Sequence, residues 1–235
     1  MTSAAYDALA PHYVEYARRR SAYLHGVDQC LVGWTSPGVA SMLDVGSGDG
    51  SRAVRLAATI GATRLVLSDP STSMVEQCRR HSTSDVWCCA AEDLPDDPDR
   101  FDLITCLWNV LAAVEGTSKR VQGLTRMCAC LSPRGRIVLD VHNRYNIATA
   151  GVVRVAARMW RDLARPSDSN GEIDFLWDVA GQQIPSRGYL FTPREMSELV
   201  LAAGLRVVHR AYVEYDSGAV RGPWTGQLMF CLERA

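Results

Sequence analysis

Three acids and one histidine stand where this chain could do chemistry: Asp44, Asp69, Asp93 and His142. Asp44 lies in the apolar run Met42-Leu43-Asp44-Val45, which leads into Gly46, Ser47, Gly48 and Gly50. Glycine tolerates positive φ and has no Cβ, so such a turn bends sharply and lets a ligand approach the backbone before a helix begins at Ser51. Asp69 ends the next apolar run about 20 residues further on, where nucleotide-binding folds place a carboxylate to accept hydrogen bonds from ribose hydroxyls. A cis-diol offers two donors and a carboxylate two acceptors, which suits an acid at that position better than an amide. Asp93, in a loop bounded by Pro95, reads on residue type alone as a solvated turn.

His142 opens the polar stretch His142-Asn143-Arg144-Tyr145-Asn146 at the exit of an apolar run. With a reference pKa near 6.5, an imidazole there can take a proton from an alcohol or phenol, and Tyr145 and Tyr189 are the other candidates for that role. A histidine at such a place can equally serve as a structural hydrogen-bonding or capping group. The planar fork of Arg144 matches a carboxylate or phosphate on a substrate. Asn143 shares the same exit.

The elements that must position these residues are strands expected over 42–45, 64–69, 86–90, 101–107 and 137–141, alternating with helices over 52–60 and 118–130. That alternation implies a parallel sheet with right-handed crossovers, whose ligands bind at the carboxyl ends of the strands. Topology alone therefore brings the glycine turn, Asp69, Asp93, the segment Leu107-Trp108-Asn109 and His142 to one edge. A helix starting at Thr192-Pro193 and closed by Gly204 precedes two last strands over 205–213 and 227–232. Tyr212, Glu214 and Tyr215 can reach the same edge from the first of these.

The stretch Leu43-Asp44-Val45-Gly46-Ser47-Gly48-Asp49-Gly50 resembles the first motif of the class I S-adenosylmethionine-dependent methyltransferases of small-molecule type. A dinucleotide fingerprint separates its second and third glycines by two residues, whereas Gly48 and Gly50 are separated by one. The resemblance continues through Asp69-Pro70-Ser71-Thr72-Ser73-Met74 and through Ala91-Glu92-Asp93-Leu94-Pro95. It covers 41–141 closely and the ends loosely. It implies an α/β fold with a Rossmann-like, seven-stranded, mostly parallel sheet, the last strand antiparallel, helices on both faces and a helical lid insertion. It further implies that S-adenosylmethionine is the cofactor and that a methyl group passes to an N or O atom of a small metabolite, in a biosynthetic setting. In that reading Asp44 and the glycines seat the methionine half, Asp69 the ribose, Met74 and the Glu92-Asp93-Leu94 loop the adenine, Pro70 belongs to the same cofactor motif, and Leu107, Trp108 and Asn109 look toward the transferred methyl, Trp108 flanking either the adenine or the donor. An NAD-dependent oxidoreductase and a non-catalytic cofactor-binding protein are the alternative readings.

The same resemblance makes 1–35 an N-terminal helical cap in which Tyr6 covers the cofactor and Tyr13, with Arg18 or Arg19, closes on the substrate. Pro11 should break that segment. Residues 143–191 form an insertion longer than an ordinary crossover, expected to contain a helix over 147–163, a polar loop over 165–171 and an extended piece over 173–179. Asn143, Arg144 and Tyr189 are its substrate-binding candidates. The 235 residues suit one domain, 1–235, with these two parts attached.

The 25 basic and 26 acidic residues nearly cancel, and no basic run interleaved with aromatics appears, so no nucleic-acid partner is expected. No apolar run reaches the ~20 residues needed to span a bilayer and no signal-peptide pattern opens the chain, giving the expectation of a cytoplasmic protein without a membrane partner. The eight cysteines are scattered without a C-x-x-C pair and are read as buried thiols, and no metal is expected.

Overall fold

The computed structural model describes residues 3–35, 37–95, 100–179 and 181–235. Residues 1–2 of the expected cap and residue 180 of the expected insertion lie outside the described residues. The chain opens with α1 (Ser3–Leu9), a 3-10 turn (Ala10–His12) and α2 (Tyr13–Arg18). Pro11 lies in the first turn of the 3-10 segment, where a missing N–H costs nothing, so it separates the two helices as its chemistry requires. Then come α3 (Ser21–Trp34), β1 (Ser41–Val45), α4 (Ser51–Ile60), β2 (Arg64–Ser68), α5 (Thr72–His81) and β3 (Asp85–Trp87). After a 3-10 turn at Ala91–Asp93 follow β4 (Phe101–Cys106), α6 (Val110–Ala113), α7 (Thr117–Cys130) and β5 (Leu131–Val141).

The insertion consists of α8 (Ile147–Ala150), α9 (Val152–Ala164) and the strands β6 (Glu172–Val179) and β7 (Gln182–Tyr189). The chain closes with α10 (Pro193–Ala202), β8 (Leu205–Val213) and β9 (Gln227–Arg234). Seven strands form one sheet in the order β3-β2-β1-β4-β5-β9-β8. The first five pair in parallel, while β9 runs antiparallel to both β5 and β8. This is the expected α/β architecture with its reversed last strand.

Side-chain alternation along the strands divides the core in two. Leu43 and Val45 of β1 and Leu139 and Val141 of β5 pack with Leu124 of α7 and Met196 of α10. Met42, Leu67 and Val138 face the other way, onto Tyr23 and Val27 of α3 and Leu56 of α4. At about 1.5–3 kcal/mol for each fully buried aliphatic or phenylalanine side chain, these layers hold the sheet rigid beneath its ligand edge.

Several expected boundaries shift. β3 ends at Trp87 instead of running to residue 90, and β5 begins at Leu131, six residues early, because its first part pairs with Phe101 across a register irregularity. The helix expected over 147–163 is cut at Gly151, whose φ of 79° suits only glycine, into α8 and α9. The extended piece over 173–179 has a partner that the sequence reading missed: β6 and β7 form an antiparallel two-stranded sheet apart from the main one. The insertion is thus a helix followed by a β-hairpin.

Candidate functional site

The glycine turn is built from backbone first. Gly46 and Ser47 both donate to the Ser68 carbonyl, at 2.7 and 2.9 Å, and the Ser47 hydroxyl returns to the Asp44 carbonyl at 2.9 Å. Gly46 and Gly48 have φ of 73° and 57°. A Cβ on Gly46 would overlap Val110, and one on Gly48 would overlap the Tyr13 hydroxyl, so both positions need glycine for close approach as well as for conformation. Asp69 sits opposite: its Oδ2 accepts from the Gly48 N–H at 2.9 Å and its Oδ1 from the Ser71 N–H at 2.9 Å. Burial outweighs these two bonds and pushes the Asp69 carboxyl up to about 6.

A cavity of about 300 Å³ opens between this turn, the N-terminal helices and the β-hairpin. Gly46, Gly48, Asp69 and Pro70 form one part of its wall, with Tyr6 and Tyr13 over them. Leu107, Trp108 and Asn109 line its middle, and His142 stands at the β5 end. With Tyr215, eleven of the residues singled out from sequence therefore share one wall.

The N-terminal segment is tied down on α5. Asp7 Oδ1 accepts from the Ser71 hydroxyl at 2.5 Å and the Ser73 N–H at 3.2 Å, and Gln77 donates to the Ala10 carbonyl at 2.6 Å. Ser71 caps α5 by accepting from Met74 N. From the other side the hairpin brings Trp177, whose ring lies 5.1 Å from that of Tyr6 and 6.0 Å from that of Tyr16. Tyr16 in turn stacks on Trp108 at 5.3 Å.

Trp108 and Asn109 carry φ of 61° and 66°, the two non-glycine residues in the left-handed region among the described residues. Such backbone persists only where neighbours impose it. Asp140, fully buried in β5, supplies the restraint: Oδ1 accepts from Trp108 N at 2.6 Å, and its backbone carbonyl accepts from Asn109 N at 3.2 Å. Its other oxygen, Oδ2, takes the Tyr23 hydroxyl at 2.6 Å. Asn109 then accepts the His142 N–H at 2.9 Å, so the turn and the β5 exit are locked together. The His142 ring meets Tyr215 edge-on at 5.2 Å, and the Arg20 guanidinium lies 4.6 Å over the far partner, Tyr215. Burial, aided by the Arg20 charge, pushes the imidazole down to about 4, and its Nε2 is buried with no hydrogen-bond partner.

Other sequence candidates lie elsewhere. Asp44 is absent from the cavity wall; its Oδ1 takes the Thr105 hydroxyl, and burial holds its carboxyl above the usual range. Ser47 serves the turn, and Gly50 gives clearance to Leu67 and Cys78. Met74 and Leu94 are buried in the core, Asp93 is exposed, and Glu92 sits 3.8 Å from Lys119. None of these four lines the cavity.

At the β5 exit only His142 faces the cavity. Asn143 donates to the carbonyls of Pro223 and Gly226, stapling the loop before β9. Arg144 is 2 % exposed, with its fork spent on Asp162 at 2.9 Å, Glu195 at 2.6 Å and the Leu190 carbonyl. Tyr145 donates to the same Asp162, and Tyr189 is a buried partner of Arg144 and Glu195. The substrate clamp expected of Arg144 is thus a structural knot joining the insertion to α10. Sequence reasoning missed Tyr16, Ile173, Phe175 and Trp177, which line the cavity. An aromatic at alternate positions of β6 was the available signal.

The residues present fit a ligand with a diol opposite Asp69. A glycine turn and a buried carboxylate form one part of the cavity wall, and a histidine with a buried, unpartnered Nε2 stands at the β5 end. Among the described residues no cluster of metal-ligating side chains is present, and no helix is long and apolar enough to cross a membrane.

Residues 42–135 match the family model described as a methyltransferase domain. Among solved structures, the chain is similar to the CcbJ methyltransferase of Streptomyces caelestis at 14% identity, with 89% of each chain covered and a TM-score of 0.64. It is similar to an S-adenosylmethionine-dependent methyltransferase of Clostridium acetobutylicum ATCC 824 at 12% identity, covering 98% of this chain and 99% of that one, with a TM-score of 0.64. It also resembles DhpI in its complex with SAH, at 15% identity, 99% and 95% coverage and a TM-score of 0.66. Identities this low speak for the fold. No curated protein matches the sequence.

Proposed function

From the methyltransferase-domain match over 42–135 and the cavity at its strand ends, we propose that this chain is a class I S-adenosylmethionine-dependent methyltransferase that transfers a methyl group to an N or O atom of a small metabolite held beneath the N-terminal helices and the hairpin. The observation that carries this reading is the single cavity shared by the Gly46–Gly48 turn, Asp69 and the unpartnered Nε2 of His142. Its closure by Tyr6, Tyr13 and Trp177 suits a small acceptor better than a polymer.

When bound, S-adenosylmethionine supplies an electrophilic methyl group on sulfur. The protein's part is to bind, orient and desolvate. Gly46 and Gly48 expose backbone to the ligand, and Asp69 accepts hydrogen bonds from the ribose diol. Trp108 and Trp177 exclude water from the acceptor side. His142, neutral at physiological pH because of its burial, holds the proton that an acidic acceptor gives up. Positioning of this kind supplies much of the rate of a direct displacement. Residues 1–35 act as a cap and 143–191 as a lid, within one domain.

A cytosolic, biosynthetic setting belongs to the same reading, supported by eight free cysteines and a near-zero net charge. Calorimetric titration with SAH tests it: micromolar or tighter binding by the folded protein is expected, and the absence of binding overturns it.

A further inference from the structure

We propose that the methyl acceptor is a flat, uncharged aromatic compound carrying a hydroxyl group, held against the rings of Trp108, Phe175, Trp177 and Tyr215 with its hydroxyl at Nε2 of His142. The inference rests on the methyl-transfer reading and narrows it to a substrate class.

Strand order separates two halves of the cavity. Asp69 follows β2 and His142 follows β5, three strand spacings apart in the order β2-β1-β4-β5, or roughly 14 Å at about 4.8 Å per strand. Among the described residues Asp69 is the one carboxylate or cationic side chain in the cavity wall, and it belongs to the glycine-turn half. The half near His142 is walled by rings and aliphatic groups, together with Asn109, whose Oδ1 already accepts the His142 N–H at 2.9 Å. Trp108 stacks on Tyr16 at 5.3 Å and Trp177 meets Tyr6 and Tyr16 at 5.1 and 6.0 Å, so ring surface is what this wall offers a ligand.

Charge excludes the alternatives. An acceptor bearing a carboxylate or phosphate needs a cationic clamp in the wall; Arg144 is consumed by Asp162 and Glu195, and Arg20 stands behind Tyr215, outside the wall and paired with Asp216 at 3.5 Å. An ammonium acceptor needs an anionic partner. The β5 end has instead the Arg20 guanidinium over Tyr215, while the Asp140 carboxylate is already shared between Trp108 N and the Tyr23 hydroxyl. A positive neighbour favours oxygen that gains negative charge as its proton leaves. A neutral phenol meets all three conditions: a ring for the aromatic wall, no charge to desolvate, and an O–H for the orphaned nitrogen. In the transfer the acceptor oxygen takes the methyl carbon and gives its proton to Nε2, while the electrons of the broken carbon–sulfur bond stay on sulfur.

The test uses the full chain saturated with SAH and calorimetric titration of four probes: 2-naphthol, its saturated counterpart decahydro-2-naphthol, 4-hydroxybenzoate and tyramine. 2-Naphthol should bind at least tenfold tighter than the other three, and it should gain affinity over naphthalene in the wild type but not in His142→Ala. Trp177→Leu should weaken 2-naphthol three- to tenfold and leave SAH affinity within twofold. Equal or tighter binding of the saturated, anionic or cationic probe overturns the acceptor class while SAH binding leaves the methyltransferase reading standing. Failure to bind SAH removes both. Label transfer from S-adenosylmethionine to 2-naphthol but not to tyramine's amine gives the independent readout.

Discussion

The Asp140 carboxylate accepts the backbone N–H of Trp108 at 2.6 Å and so holds a bulky aromatic residue at φ 61° in the cavity wall. The same carboxylate anchors Tyr23 of α3, so one buried acid couples a helix on the far face of the sheet to the ligand edge.

Asp140→Ala leaves the Trp108 N–H and the Tyr23 hydroxyl without acceptors. At about 1–3 kcal/mol for each buried donor left unsatisfied, urea unfolding should show a loss of about 2–4 kcal/mol. Near-ultraviolet circular dichroism should weaken as Trp108 loses its fixed setting. A loss under about 0.5 kcal/mol would show that another contact holds the turn.

Asp69 should act in opposite directions on folding and on ligand binding. Its carboxyl is raised from the ordinary value of 3.8 to about 6 by burial. A raised folded-state value means that its contribution to stability is whole below the unfolded value and is lost as pH rises through about 6. Asp69→Asn should therefore flatten the fall in stability between those two values, measured by denaturant titration at several pH values. Accepting from a diol needs the ionised form, so SAH affinity should drop as pH falls below 6 in the wild type. The Asn variant should bind at least tenfold more weakly at pH 7.5, in line with about 1.5–3 kcal/mol for a hydrogen bond to a charged group. Unchanged affinity would show that the ribose lies elsewhere.

For His142, burial lowers the imidazole from 6.5 to about 4, so the neutral form persists through mildly acid conditions. With cofactor saturating, the acid limb of kcat should fall near pH 4 and not near 6.5. His142→Ala should cut kcat for a hydroxyl acceptor by about 10²–10⁴ and abolish that limb. A wild-type rate in the variant at every pH would eliminate it as the base.

Arg144→Met separates a structural knot from a substrate clamp. Removing the guanidinium strands Asp162 and Glu195 at a buried junction, where breaking such pairs typically costs about 3–5 kcal/mol. Thermal unfolding should register most of that loss. A variant of unchanged stability but raised KM would restore the clamp.

Most of the fold was legible before any coordinates. The apolar runs over 42–45, 64–69, 101–107 and 137–141 each became a strand of the parallel set, and Thr192 marked a helix start where it now lies. The strand ends carry the site because chain direction in a parallel sheet delivers every carboxyl end to one edge. The β-hairpin was half missed: β7 contains Pro185 and Gly188 among polar residues, and its pairing with β6 is a relation between two segments, invisible in either alone.

By itself the sequence determined that a glycine turn, an acid after β2 and a histidine after β5 meet at one edge, since strand period and crossover handedness leave few other arrangements. Only the tertiary structure decided which neighbours in that edge face the cavity. His142 and Arg144 are two residues apart, yet one lines the cavity with a buried, unpartnered Nε2 and the other is buried between Asp162 of α9 and Glu195 of α10. Their fates differ because a side chain's partners come from distant helices, whose packing against the exit of β5 is a property of the whole fold.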